Sequence, residues 1–393
     1  MKKITFLFAS SFLILNAWSQ NYDETNVPPY TLPSVFGDSV SKNNIDKSSW
    51  ESTRRHQVQA LFRNNVYGQM PRTYDNMQFI VTNEITDAMN GKARLKEVAI
   101  TVWKSGKSVI INIILFLPNN SKLSAPAFLL INNRDKNNTD PTRITRSEFW
   151  PAEMLIDSGY AIVAFHVGDA APDDSISYQN GVLKLYPEQL TAPNGMKAIG
   201  AWAWAASRVM DYLEEEKGVD ARRVGIVGHS RGGKAALWAG AEDKRFAIVF
   251  SNNSGNSGAA LSRRKFGETV QRINDRFPHW FCNNYKKYND NEAALPVDQH
   301  MLISLIAPRP VYVTSASKDL WADPKGSYLS LIHAQPVYTL YGKHSALTPE
   351  PPAINSPIIK SFLGYHNREG VHNLTAYDWN NFIRFANYHY FNK

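Results

Sequence analysis

The sequence contains very little cysteine and no apolar segment long enough to cross a membrane as a helix. Cys282 is the single cysteine among 393 residues, so no disulfide can form within the chain, and we expect it to be a buried small apolar residue. Residues 4–15 are mostly apolar but fall short of the roughly 20 residues that a membrane-spanning helix needs. The formal charge is +8, yet the basic residues are scattered and form no arginine-rich arm. These absences exclude a disulfide scaffold and make nucleic acid an unexpected partner.

The N-terminus has the pattern of a secretory signal peptide. Lys2-Lys3 is basic, residues 4–15 are apolar, and Ala17-Trp18-Ser19 places small residues where a signal peptidase reads them. We predict a signal peptide over residues 1–19, so the mature protein should be secreted or periplasmic and free of the membrane.

Residues 20–393 read as a single α/β catalytic domain whose N-terminal extension covers about residues 20–118. A helix is expected over 48–66. Two or three antiparallel strands should follow, and Lys104-Ser105-Gly106-Lys107 predicts a hairpin between the last two. The predicted strands of this part are 77–83, 93–103 and 108–117.

After Pro118 short apolar runs alternate with helix-like segments. The predicted strands are 127–131, 160–165, 224–227, 246–250, 311–314 and 337–341. The predicted helices are 147–158, 196–215 and 375–388. This alternation indicates a mostly parallel sheet with an antiparallel N-terminal edge and helices on both faces. A site should lie at the carboxyl ends of the parallel strands.

The pentapeptide Gly228-His229-Ser230-Arg231-Gly232 lies between an apolar strand-like run, 223–227, and a helix-like run, 233–241. A G-x-S-x-G motif in this setting is the nucleophile elbow of the α/β-hydrolase fold, and it predicts acyl transfer through a covalent serine. The similar Gly255-Asn256-Ser257-Gly258 has no clean helix behind it, so we do not expect it to be a second elbow.

A serine nucleophile needs a histidine base and an acid that orients it, and in this fold they follow the serine in the order acid, then histidine. His366 and His372 both fall in the predicted loop before the last helix. We prefer His372, which lies three residues before the expected helix cap. Asp319 is the first acid after the 311–314 strand, whereas Asp323 precedes a proline and is expected to form a turn.

Several blocks resemble the glucuronoyl esterases, a family of carbohydrate esterases, in its bacterial form. The matching blocks are 228–236, 254–264, 267–268, 295–302, 307–310, 319–324 and 368–379. The resemblance implies cleavage of esters between 4-O-methyl-glucuronic acid side chains of xylan and lignin alcohols. It also implies one role for each matching residue: Ser230 as nucleophile, His372 as base, Arg231 at the oxyanion, and Lys234, Glu268 and Trp321 on the sugar.

The chain departs from many family members at Asn253, where a glutamate is expected. Asparagine cannot supply the full negative charge that an imidazolium needs, so the acid is assigned to Asp319. No metal site or cofactor is expected, because His229 and His300 lack partners at ligand spacing.

Alternatives remain at the level of the sequence. The chain could be an acetyl or feruloyl xylan esterase on the same fold, or a catalytically silent glycan-binding relative. Arg231 could form a surface ion pair, Lys234 could be solvated, Glu268 could lie on a helix surface and Trp321 could be a core residue. The expected partner is glucuronoxylan or a lignin–carbohydrate ester, and the protein is expected to be a monomer.

Overall fold

The computed structural model describes residues 20–37, 46–121 and 123–392, and the predicted signal peptide, 1–19, lies outside them. Nine strands form one sheet. They are β1 Asn76–Ala88, β2 Ala93–Lys104, β3 Lys107–Pro118, β4 Ala125–Asn132, β5 Ala161–His166, β6 Val219–His229, β7 Ile248–Asn252, β8 Val311–Ala316 and β9 Leu363–Arg368.

The strand order is β1-β2-β3-β5-β4-β6-β7-β8-β9. The pairs β1–β2, β2–β3 and β3–β5 are antiparallel, and every later pair is parallel. Lys104 pairs with Lys107 across a two-residue turn in which Ser105 and Gly106 have φ of 50° and 75°. The predicted hairpin and the mostly parallel sheet with an antiparallel N-terminal edge are therefore confirmed.

Helices cover both faces of this sheet. The α-helices are α1 Lys47–Ser49, α2 Arg55–Phe62, α3 Ala152–Asp157, α4 Val167–Ala170, α5 Glu188–Thr191, α6 Ala198–Glu215, α7 Arg231–Glu242, α8 Val270–Arg276, α9 Gln299–Ser304, α10 Pro324–Leu340 and α11 Ala376–Phe391. Along β4, Leu129 packs in the apolar core that includes α6, α7 and α10, and its neighbour Leu130 packs in the core that includes α3 and α11. Alternate residues of a strand point to opposite faces, so two helical layers enclose the sheet.

Short helical turns of other kinds join these elements. The π-helical turns are Trp50–Arg54 and Arg63–Tyr67. The 3₁₀ turns are Glu24–Asn26, Lys136–Thr139, Tyr178–Asn180, Val182–Leu185, Ser262–Arg264, Asn283–Tyr288, Glu292–Ala294 and Leu320–Ala322. In the part of the chain that is described, no helix is long and apolar enough to cross a membrane.

The prediction of a strand over 337–341 was wrong. Those residues belong to the end of α10 and to its C-cap, and the helix continues through Pro336. In a short apolar run, the spacing of the apolar residues does not distinguish a strand from a buried segment of helix. The last strand is instead β9, which pairs in parallel with β8 and contains His366.

Candidate active site

Ser230 is the single residue between the end of β6 and the start of α7. Its backbone has φ of 55° and ψ of −126°, a region that residues with a side chain rarely occupy. The Ser230 N–H donates to the Asn252 carbonyl at 2.8 Å, which ties the turn to the neighbouring strand β7. Such local strain persists only where the surrounding structure enforces it, as at a nucleophile elbow.

Gly228 makes this sharp turn possible. A Cβ atom at position 228 would lie 2.0 Å from the carbonyl oxygen of Gly232, so no residue with a side chain fits there. The serine is therefore presented at the carboxyl end of a central strand, as the motif predicted.

His372 and Asp319 meet at the same edge of the sheet. The Nδ1 of His372 lies 2.6 Å from Oδ2 of Asp319. The Asp319 side chain is 4% exposed, whereas that of His372 is 37% exposed. One nitrogen of the ring is thus held by a buried carboxylate while the ring itself reaches the surface.

The ring of His372 also lies beside the elbow. Its centroid is 4.6 Å from that of His229, the residue that precedes Ser230. The Ser230 hydroxyl and the His372 Nε2 make no hydrogen bond to any of the residues described, so both groups remain open to a substrate.

The other two candidates for these positions have structural partners. His366 is fully buried in β9, where its Nε2 lies 2.8 Å from Asp378 and its Nδ1 lies 3.0 Å from the hydroxyl of Tyr312. Asp323 caps α10 by accepting from the Gly326 N–H at 2.8 Å. Burial raises the pKa of Asp323, although Arg264 beside it acts in the opposite direction.

The loop that carries His372 is held by Arg368, a residue that the sequence did not single out for a role. Its Nη2 donates to the carbonyls of Val371 and Asn373, each at 2.8 Å, on either side of the histidine. Its Nε donates to Asp378 at 3.0 Å, and that carboxylate is fully buried. The loop is therefore fixed from inside the protein.

Arg231 begins α7 and turns toward two loops. Its Nη2 donates to the Asn133 carbonyl at 3.0 Å, and its Nε forms an ion pair with Asp173. Burial raises the pKa of Asp173, but the hydrogen bond from His279 and the charge of Arg231 outweigh it and the net shift is downward. Arg231 thus does form an ion pair, and it does so next to Ser230. Asp173 follows no recognisable motif, and no sequence signal pointed to it.

Lys234 and Glu268 bind each other rather than facing solvent. Their side chains are 2% and 5% exposed, and Nζ lies 2.7 Å from Oε2. The other two donors of Lys234 reach the carbonyls of Ser254, at 2.8 Å, and Asn256. An ammonium has three donors, so none is left for a ligand in this state.

Glu268 keeps one carboxylate oxygen for other partners. Burial raises its pKa, while Lys234, His372 and a hydrogen bond from the Trp321 side chain act in the opposite direction. The Trp321 carbonyl accepts from the Glu268 N–H at 2.9 Å. Trp321 is partly exposed, and its ring lies 5.6 Å from the guanidinium of Arg276.

Asn253 also lies within this cluster. Its Nδ2 donates at 2.7 Å to Oδ2 of Asp319, the same oxygen that contacts His372. The structure therefore brings Ser230, His372 and Asp319 to one edge of the sheet, with Asn253 beside the acid. No group of three or more metal-ligating side chains occurs within residues 20–37, 46–121 and 123–392.

Comparisons with known proteins agree on one family. A family model described as glucuronyl esterase of fungi matches residues 100–342. A carbohydrate esterase from an unknown prokaryotic organism is 38% identical over 94% of this chain and 92% of its own length. A 4-O-methyl-glucuronoyl methylesterase from Wolfiporia cocos is 29% identical over 52% of this chain and 53% of its own length.

Solved structures agree as well. A promiscuous esterase of carbohydrate esterase family 15 from a marine bacterial metagenome has a TM-score of 0.84 at 37% identity, covering 94% of this chain and 100% of that one. The glucuronoyl esterase of Solibacter usitatus has a TM-score of 0.83 at 37% identity, covering 92% and 98%. The α/β-hydrolase architecture and the elbow fit these relatives. The chain therefore belongs to the glucuronoyl esterase family of carbohydrate esterases, and it is an esterase.

Proposed function

We propose that this esterase cleaves esters between (4-O-methyl-)glucuronic acid and alcohols, with Ser230, His372 and Asp319 as its catalytic triad. The observation that supports this most is the hydrogen bond of 2.6 Å between His372 and Asp319, formed beside the Ser230 elbow. The sugar and the alcohol are inferred from the family, whose relatives include 4-O-methyl-glucuronoyl methylesterases.

In the proposed reaction, His372 Nε2 accepts the hydroxyl proton of Ser230 as Oγ bonds to the ester carbonyl carbon. Asp319 holds Nδ1–H and stabilises the imidazolium that forms. The bond to the alcohol oxygen then breaks, and His372 returns the proton to that oxygen. Water repeats the sequence on the acyl-enzyme and releases the uronate.

The tetrahedral intermediate carries a negative oxygen that needs donors. In this fold the backbone N–H of the residue after the nucleophile supplies one donor. That residue is Arg231 here, and its guanidinium would supply a second. Removing such a donor typically costs about 3 kcal/mol of transition-state stabilisation. Asp173 and the Asn133 carbonyl would hold the guanidinium in place.

The sugar would lie against Glu268 and Trp321. The Glu268 oxygen that does not bind Lys234 can accept from a sugar hydroxyl, and the partly exposed Trp321 ring offers an apolar face. Lys234 would act by holding Glu268, because its three donors are occupied. This assigns Lys234 a supporting role where the resemblance implied direct contact.

The test compares benzyl glucuronate with acetylated and feruloylated xylan as substrates. We expect hydrolysis of the glucuronate ester to dominate, and a loss on the order of 10⁴-fold or more in Ser230→Ala. Preference for acetyl or feruloyl esters would show that the protein is an acetyl or feruloyl xylan esterase instead. If the wild type hydrolyses no ester yet binds the sugar, a glycan-binding role is indicated.

A second variant tests the acid. Asp319→Asn should lower kcat by roughly 10⁴-fold, because the amide favours the wrong histidine tautomer. An Asn253→Ala loss of the same size would show that the acid is misassigned. Export after cleavage of residues 1–19 and a monomeric state remain predictions, which mass spectrometry of the secreted chain and sedimentation can check.

A further inference from the structure

Three positive groups of the site each have a carboxylate of their own. His372, once protonated, faces Asp319 at 2.6 Å, and Lys234 faces Glu268 at 2.7 Å. Arg231 faces Asp173. These three pairs are therefore balanced in charge.

Arg134 is a fourth positive group at the same edge of the sheet, and it is not balanced. It lies two residues beyond the end of β4, next to Asn133, whose carbonyl accepts from Arg231. Within residues 20–37, 46–121 and 123–392, no carboxylate oxygen lies within 4 Å of its guanidinium. The guanidinium instead packs 4.6 Å from the centroid of the Phe149 ring and is partly exposed.

The polar contact of Arg134 is with a neutral group. Its Nη2 lies 3.2 Å from His229 Nε2, and because arginine only donates, that nitrogen must be the acceptor. His229 Nδ1 then carries the proton and donates to Asn252 Oδ1 at 2.5 Å. Burial lowers the pKa of His229 well below its ordinary value, and His372, Arg134 and Arg231 lower it further.

Arg134 therefore carries a positive charge without a matching carboxylate, and it lies beside His229, the residue that precedes Ser230. Burial and the nearby Arg231 lower the pKa of Arg134, yet a guanidinium stays protonated at neutral pH. A partly buried, unmatched cation attracts an anion more strongly than a paired one does.

We propose that Arg134 binds the carboxylate that ester hydrolysis releases on the sugar, so that the free uronic acid is a competitive inhibitor of this enzyme. This rests on the proposed function. The ester substrate is neutral at its carbonyl, whereas the product carries a full negative charge at the same carbon. An unmatched guanidinium therefore discriminates between them by charge and favours the product.

The test measures inhibition by glucuronate at pH 7 during benzyl glucuronate hydrolysis, with glucuronamide as a neutral inhibitor of the same shape. Arg134→Gln should raise the inhibition constant of glucuronate at least tenfold and leave that of glucuronamide within about twofold. Arg134→Lys keeps the charge and should stay within about threefold of the wild type. Arg146→Gln is the matched control, because its side chain is 72% exposed and also lies between β4 and α3. It should change neither constant.

Equal glucuronate inhibition of the wild type and Arg134→Gln would overturn the proposal, as would equal loss for glucuronate and glucuronamide. Thermal unfolding of each variant shows that the protein remains folded. Calorimetric titration of Ser230→Ala with glucuronate separates the two proposals. If glucuronate binding requires Arg134 but the wild type hydrolyses no uronate ester, the proposed function is refuted while the anion site at Arg134 is supported.

Discussion

Two histidine–aspartate pairs in this molecule have hydrogen bonds of similar length, 2.8 Å and 2.6 Å, but they differ in whether the other ring nitrogen is free. His366 uses both nitrogens, one on Asp378 and one on Tyr312, and is fully buried. His372 uses Nδ1 on Asp319 and leaves Nε2 unbonded among the described residues, with 37% of its side chain exposed. A base needs a nitrogen that is free to take a proton, so only the second pair is suited to catalysis.

The two pairs are also linked. Asp378 binds His366 through one oxygen and Arg368 through the other, and Arg368 holds the carbonyls on both sides of His372. The buried pair thus belongs to the support of the exposed one. The same substitution in each histidine should distinguish a structural role, seen in stability, from a catalytic role, seen in kcat.

The largest expected effect is on activity, in His372→Phe. Removing the proposed base should lower kcat by roughly 10⁴-fold or more, because the serine hydroxyl loses its proton acceptor. The free energy of unfolding should fall by only about 1 kcal/mol, because the ring is partly exposed and the buried Asp319 loses His372 but keeps the hydrogen bond from Asn253. Ester hydrolysis and urea denaturation measure the two quantities. Activity within tenfold of the wild type would remove His372 from the mechanism.

His366→Phe should give the opposite result. A phenyl ring of similar shape leaves the Tyr312 hydroxyl and one oxygen of Asp378 without their partner inside the core. Two such losses should destabilise the protein by about 3 kcal/mol. Below the melting temperature, kcat should stay within about threefold of the wild type. A large fall in kcat with unchanged stability would contradict the division between the two pairs.

A third histidine extends the comparison to pH. Burial lowers the pKa of His300 to about 4, with Asp298 acting in the opposite direction and His333 in the same one. Its Nε2 lies 3.1 Å from the Pro33 carbonyl. His300 takes up a proton near pH 6.5 in the unfolded chain but only near pH 4 in the folded chain. Stability should therefore be complete above about pH 6.5 and fall as pH decreases toward 4, by about 3 kcal/mol.

His300→Gln keeps a donor for Pro33 but does not titrate. Its unfolding free energy should fall less steeply between pH 6.5 and 4 than that of the wild type, as measured by denaturant titration at several pH values. Parallel curves for the two proteins would show that His300 is not neutral in the folded state.

Much of the fold could be predicted because it depends on residues that are close together in the sequence. The G-x-S-x-G motif between an apolar strand and a helix placed Ser230 correctly at the elbow, and the turn at 104–107 gave the hairpin. The cap of the last helix was also predicted, since Thr375 and Asp378 form a capping box. The start of the first α-helix was predicted at residue 48, whereas the helix begins at Lys47 and is capped by Asp46.

What escaped prediction depends on distant partners. β9 contains glycine, histidine, asparagine and arginine, which give no strand signal, and its buried His366 is satisfied by Tyr312 and Asp378 from other elements. Asp173 faces Arg231 from a loop without any motif. Pairing across the fold decides these positions, and a single sequence does not display it.

The smallest expected effect concerns Asn253, whose Nδ2 donates to Asp319 at 2.7 Å. Asn253→Ala and Asn253→Gly both remove this donor, and each should lower kcat about tenfold at unchanged KM, because Asp319 can then rotate away from His372. The backbone of Asn253 has φ of 47°, so alanine should also cost about 1 kcal/mol of stability, whereas glycine should not. Steady-state kinetics and denaturation separate the two effects. Equal kcat in the wild type and both variants would mean that His372 alone positions Asp319, and that the asparagine at this position only shapes the turn after β7.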